Sequence, residues 1–133
     1  MKIKAIIFGM MGVVYDSTPY TWKARNQYLA RYWVTIPPEE VLGLLGHPFT
    51  YQLEVINKKY NLSLKYDEFS QETRKIQMEL MKDSLRPVEG LPEFLADLQK
   101  NQIKTAIASF NLRKFIEEDL AVMGLRNAFD VIT

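Results

Sequence analysis

The sequence predicts an α/β protein with a small parallel sheet, broken early by a long helical insertion. Three observations lead there. The chain opens on a short apolar, β-branched run at 3–8 (IKAIIF), and two similar runs come late, at 103–109 and 129–133. Helical spacing separates the last two runs, and strands that alternate with helices join through right-handed crossovers into a parallel sheet. Residues 18–85 also read as helical, far too long a stretch for one crossover helix.

Each element has its own local signal. Residues 3–8 are apolar on both faces, the pattern of a buried parallel strand. Gly9 and Gly12 end it. Asp16 or Ser17 can cap the next helix, and Pro19 fits its first turn. That helix runs to about Trp33, with Trp22, Leu29 and Trp33 on one face and Arg25 and Arg31 elsewhere. The sequence TIPPEE at 35–40 stops it and starts another, placing Glu39 and Glu40 at a positive helix end. After the breaker GHP at 46–48 come helices at 49–60 and 66–84, the latter with Phe69, Ile76 and Leu80 near one stripe. Past RPVEG at 86–90 the period changes. A helix at 91–101 aligns Leu91, Leu95 and Leu98, the strand at 103–109 follows, and a further helix stops at Gly124 before the last strand. The organisation expected is a core of 1–15 with 86–133, and an inserted helical cap of 16–85.

Bulk composition excludes several classes. The 133 residues are 47% hydrophobic and 25% charged, values of a folded domain. Seventeen Lys and Arg against 16 Asp and Glu leave a net charge of +1, with no basic run. Neither a nucleic acid nor an anionic membrane surface is an expected partner. With no cysteine, thiol catalysis, disulfides and zinc–thiolate sites are out. No apolar stretch has the length of a membrane span or a signal-peptide core, so a cytoplasmic protein is the expectation.

The stretch KAIIFGMMGVVYDSTP at 4–19 carries the functional question. The carboxyl end of such a strand is where open α/β sheets hold their ligands. Yet GMMG contains no nucleophile, acid or base. Together with LRPVEGLPEFLADLQKNQIKTAIASFN at 85–111 and MGLRNAFDVIT at 123–133, the stretch resembles the haloacid dehalogenase superfamily. The branch it is most similar to is the β-phosphoglucomutase and phosphoglycolate-phosphatase-like one, whose cap LLGHPFTYQLEVI at 44–56 also resembles. The resemblance implies a three-stranded, Rossmann-like partial core with an inserted α-helical cap.

It also implies a chemistry. In the family the first loop reads Asp-x-Asp-Gly: one Asp attacks phosphorus and the other moves protons. Gly9 and Met11 stand at those two positions, and neither can do either task. Gly12, Val13, Val14, Asp16 and Ser17 still match. Ser109 matches the family hydroxyl that holds the phosphoryl group, so Gly12, Ser109 and Asn111 are the expected residual anion site, helped by backbone N–H groups before the next helix. The family's lysine and late acidic pair lie beyond Thr133. Magnesium would keep one ligand, the Met11 carbonyl, and the family Mg²⁺ site is expected to be lost. No catalytic residue and no metal ligand is therefore assigned.

Other candidates have plainer readings. His47 is a turn or surface residue, and Asp16 a cap. Glu117, Glu118 and Asp119 splay apart as a solvated face. Tyr15, Tyr20, Trp22, Tyr28, Tyr32 and Trp33 pack. Met10 and Met11 make the floor of the loop apolar, closing the old pocket or fitting it to an apolar group. With later strands absent, strand 3–8 is expected to have a bare apolar edge. A homodimer through that edge is the favoured remedy, the others being a chain that supplies the missing half or a cap folded over it. The function expected is a degenerate, catalytically inactive domain acting as a binding or assembly module for a small anionic or apolar ligand. The rivals are a hydrolase completed by another chain or using other residues, and a fragment of a longer protein.

Overall fold

The computed structural model describes residues 2–133. They form two compact units, Met1–Ser17 with Ser84–Thr133, and Thr18–Asp83.

The first unit is the α/β one. Strands β1 (Ala5–Phe8), β2 (Lys104–Ile107) and β3 (Val131–Ile132) form a parallel sheet in the order β1-β2-β3. All three are shorter than their apolar runs, although the Lys104 N–H still bonds the Lys4 carbonyl ahead of β1. Helix α5 (Leu91–Lys100) precedes β2 and α6 (Arg113–Val122) follows it. Leu91, Leu95 and Leu98 are buried together, as their spacing requires. Gly90 begins α5 at φ 78°, a left-handed conformation in which a Cβ is costly.

Strand β1 is not the buried strand its sequence suggests. Phe8 is buried, edge-on to Phe94 of α5 and to Phe129, but Ile7 is 71% exposed. The register sets Ile7 beside Ala106 and Val131, and Phe8 beside Ile107 and Ile132. Successive strands in the order 1-2-3 joined by right-handed crossovers place their helices on one face. Phe8 and Ile107 face that layer, while Ile7 and Val131 stay exposed.

A second correction concerns Asp119. It lies on α6 and is fully buried, accepting a hydrogen bond from the buried Tyr15 hydroxyl. Of the three acidic neighbours, Glu117 does lie outward, paired with Arg113 at 2.8 Å. The Tyr15 partner turns a position read as solvated into a buried polar contact.

The second unit is all helix: α1 (Thr18–Leu29), a 3-10 turn (Ala30–Tyr32), α2 (Pro38–Leu44), α3 (Phe49–Tyr60) and α4 (Tyr66–Met81). Its core gathers Tyr28, Leu29, Ile36, Ile56 and Phe69 among others. Helix α1 packs along α4, with Tyr28 edge-on to Phe69 at 5.2 Å and Gln77 Nε2 donating to Thr21 Oγ1 at 2.8 Å. Two asparagines act as strand mimics. Asn26 accepts from the Ile36 N–H and donates to the Ile36 carbonyl, and Asn57 does the same for Leu64.

Helix α1 departs from the expected faces at two residues. Trp33 is 97% exposed rather than aligned with Trp22 and Leu29, because the α-helix ends at Leu29 and Trp33 turns left-handed at φ 59°. Arg25 is buried rather than set apart, since three residues after Trp22 it shares that residue's side of the helix.

Candidate functional site

The parallel sheet fixes where the candidate residues meet. Phe8 pairs with Ile107, and the Ala108 N–H bonds the Phe8 carbonyl at 2.9 Å. The loop after β1 and the loop after β2 therefore leave the sheet side by side at its carboxyl end. The Ser109 N–H reaches the Thr133 carbonyl at 3.2 Å, bringing the end of β3 to the same place.

The first loop is a tight turn closed on itself. The Met10 carbonyl accepts from the Val14 N–H at 2.9 Å and, more loosely, from Val13 and Tyr15. Gly12, at φ 77°, donates its N–H to the Tyr15 carbonyl at 2.8 Å. The Val88 N–H bonds the Val14 carbonyl, tying the returning segment to this turn. Met10 points into the core and Met11 is 49% exposed. Gly9 has room for a side chain: a Cβ there would come no closer than 3.6 Å to Val13. Packing therefore does not by itself require a glycine there.

The second loop spends most of its donors internally. Ser109 Oγ accepts from the Asn111 N–H at 3.1 Å, and Asn111 Oδ1 accepts from the Leu112 N–H at 3.0 Å. With Gly12 and Ser109 N–H also engaged, the backbone donors expected to face an anion are largely committed. Besides these, the loop carries the Ser109 hydroxyl hydrogen, the Phe110 N–H and the Asn111 amide nitrogen. The two loops also carry exposed apolar groups, Met11 and Val13 on the first and Phe110 and Leu112 on the second.

Magnesium takes hard oxygen ligands in octahedral geometry. The side chains of the turn are a glycine hydrogen and two thioethers, which leaves backbone carbonyls such as that of Met11 as its oxygens, and the Met10 carbonyl already accepts backbone hydrogens. Among the described residues, no group of three His, Cys, Asp or Glu could hold a metal ion. His47 is exposed and stacks on Tyr51 at 4.6 Å, and Asp16 is exposed.

Sequence reading marked Met11 as apolar floor but missed the exposed Val13, Phe110 and Leu112, and it missed the Tyr15–Asp119 contact. Phe110 and Leu112 sit in a loop with no periodicity, so nothing flagged them. A tyrosine close after the glycines and an acid within an apolar helix stripe were the available hints of the contact.

A parallel sheet with its helices on one face, a turn and a Ser-containing loop meeting at the strand ends, and a helical unit inserted after the first strand together define an α/β protein with an inserted helical unit. The comparisons make this specific. The sequence profile of the haloacid dehalogenase-like hydrolases matches residues 6–133, and the chain belongs to that family. A curated relative from Caldanaerobacter subterraneus subsp. tengcongensis, named "Putative pyrophosphatase PpaX", is 26% identical across 99% of this chain and 58% of its own length. The β-phosphoglucomutase of Clostridium difficile superposes with a TM-score of 0.82 at 22% identity, over 98% of this chain and 61% of that one. CbbY from Rhodobacter sphaeroides, solved in complex with phosphate, gives 0.84 at 18% identity, over 98% and 63%. These likenesses support the expected fold. The chain spans about three-fifths of the length of each relative.

Proposed function

We propose that this chain is a non-catalytic member of its family, a binding and assembly module rather than a phosphatase or mutase. One observation carries the reading: the turn after β1 has Gly9 and Met11 where the family resemblance requires two carboxylates. Phosphoryl transfer depends on positioning and on neutralising charge, and a hydrogen and a thioether supply neither. Magnesium has no role in this reading. The ligand is a small molecule with an anionic or polar head and an apolar body. Ser109 and Asn111 hold the head, Gly12 shapes the turn without lending its N–H, and Met11, Val13, Phe110 and Leu112 meet the body. The working compartment is the cytoplasm. No helix among the described residues is long and apolar enough to cross a membrane.

Assembly runs through β1. Among the described residues its one strand neighbour is β2, and Ile3 and Ile7 are exposed beside it. Unpaired apolar edges recruit other strands, and a second copy about a two-fold axis would give a six-stranded sheet. A second reading has its own support. The matched length, 58–63% of the relatives, fits a segment completed by further polypeptide, in this chain or another. That completion would leave Gly9 and Met11 unchanged.

The test is turnover of p-nitrophenyl phosphate and sugar phosphates with magnesium present. No rate above the blank is expected. Magnesium-dependent turnover that survives stringent purification and disappears in Ser109→Ala would overturn the proposal.

A further inference from the structure

The helical unit holds a cluster of hydrogen-bond donors with too few acceptors. Arg25 on α1 is 7% exposed, and its Nη1 donates to Gln52 Oε1 at 2.6 Å. Gln52 is held in place by its own Nε2, which donates to the His47 carbonyl at 2.6 Å. The other contacts of Arg25 are aromatic faces. Its guanidinium carbon lies 4.7 Å from the centre of the Trp22 ring and 5.0 Å from that of Phe49. Such faces steady a cation but do little for the N–H fork. A guanidinium has five N–H donors, and here a neutral amide oxygen serves one of them.

Buried charges are ordinarily paired. Among the described residues Arg25 has no carboxylate partner: burial alone lowers the guanidinium from its ordinary value to about 10. A second observation is independent of the first. Trp22 Nε1–H is sealed from solvent and has no acceptor, the one such side-chain atom among the described residues. A buried donor left unmade costs more than a made bond returns. Two such donors therefore stand on neighbouring, stacked side chains, and both call for oxygen lone pairs, best those carrying negative charge.

We propose that Trp22 and Arg25 form an oxyanion-binding site within the helical unit. The ligand group is a phosphate or a carboxylate, received by the guanidinium fork and the indole N–H. Both groups offer the paired oxygens that a planar fork matches. Gln52 orients the fork, and Phe49 supports the cation. The proposal does not depend on the reading given to the Ser109 loop.

The test uses the indole N–H signals of the ¹⁵N-labelled full chain. There are two tryptophans, and the exposed Trp33 serves as the internal control. Trp22→Phe identifies the Trp22 signal. Inorganic phosphate is titrated in one arm and acetate in another, against chloride at matched ionic strength. The Trp22 signal is expected to move saturably with at least one oxyanion while Trp33 stays still, and the arm that saturates lower names the source. Arg25→Met is expected to weaken binding by about tenfold or more. Should that variant not fold, Arg25→Lys keeps the charge, loses the fork and is expected to weaken binding by about tenfold. Ser109→Ala is expected to leave the Trp22 response intact, which separates failure here from failure at the other loop. A Trp22 signal that follows neither oxyanion, or that responds undiminished in the Arg25 variant, would overturn the proposal.

Discussion

Tyr15→Phe removes one hydroxyl and nothing else. In the structure that hydroxyl donates to Asp119, and both side chains are buried. Phenylalanine fills the same space, so the loss is one donor to a buried carboxyl group. Removing a partner of a buried polar group costs about 1–3 kcal/mol. For a chain of 133 residues, an unfolding entropy near 2.1 cal/mol/K per residue gives roughly 0.28 kcal/mol/K. The melting temperature should therefore fall by about 4–11 °C. Calorimetry or circular dichroism at neutral pH would read it. The double-mutant cycle with Asp119→Asn adds a sharper check, because residues in direct contact couple by about 0.5–3 kcal/mol. A shift within about 1 °C together with additive single effects would refute the view that this contact pins the turn after β1 to α6.

Further expectations follow the same logic. Asp130 accepts from the Thr105 N–H at 2.9 Å and pairs with Lys104. These bonds, the backbone one foremost, hold its carboxyl below its ordinary value of 3.8. A depressed folded value means stability present above pH 3.8 and lost as pH falls through the folded value. Melting curves of wild type and Asp130→Asn should thus differ at neutral pH and converge in acid; a constant gap would contradict this. Leu120→Ala empties a fully buried position and should cost about 2–5 kcal/mol in denaturant unfolding. Ile7→Glu places a charge on the exposed β1 position, so ultracentrifugation should show wild type as dimer and the variant as monomer with unchanged circular dichroism. A wild type that is monomeric at micromolar concentration would remove the assembly proposal.

Much of the architecture was legible because local signals agreed. The helix at 49–60 matches α3 (Phe49–Tyr60), since GHP marks its start and Asn61, left-handed at φ 53°, its stop. The leucine stripe of α5 and the stop at Gly124, φ 72°, were equally plain. What could not be read were facts of tertiary partnership. Whether Ile7 is buried depends on which side of the sheet the crossovers take, a property of strand order rather than of Ile7. Asp119 looked solvated because its partner lies 104 positions away. Arg25 looked external because a charge on a helix is ordinarily solvated, and Trp22, Phe49 and Gln52 together make its burial tolerable. Asn26 and Asn57 carried no signal for their backbone clamps. At the candidate site, the identities of Gly9, Met11 and Ser109 were all in the sequence. That Gly12 and Asn111 spend their N–H groups inside their own loops was visible only in three dimensions.

The most direct measurement concerns the turn after β1 itself. The purified chain is incubated with magnesium and acetyl phosphate, quenched in acid, and weighed by intact-mass spectrometry beside a catalytically competent β-phosphoglucomutase. The mutase should gain one phosphoryl group and this chain none, because Gly9 has no side chain to accept it. A phosphoryl adduct on this chain would contradict the account at its root.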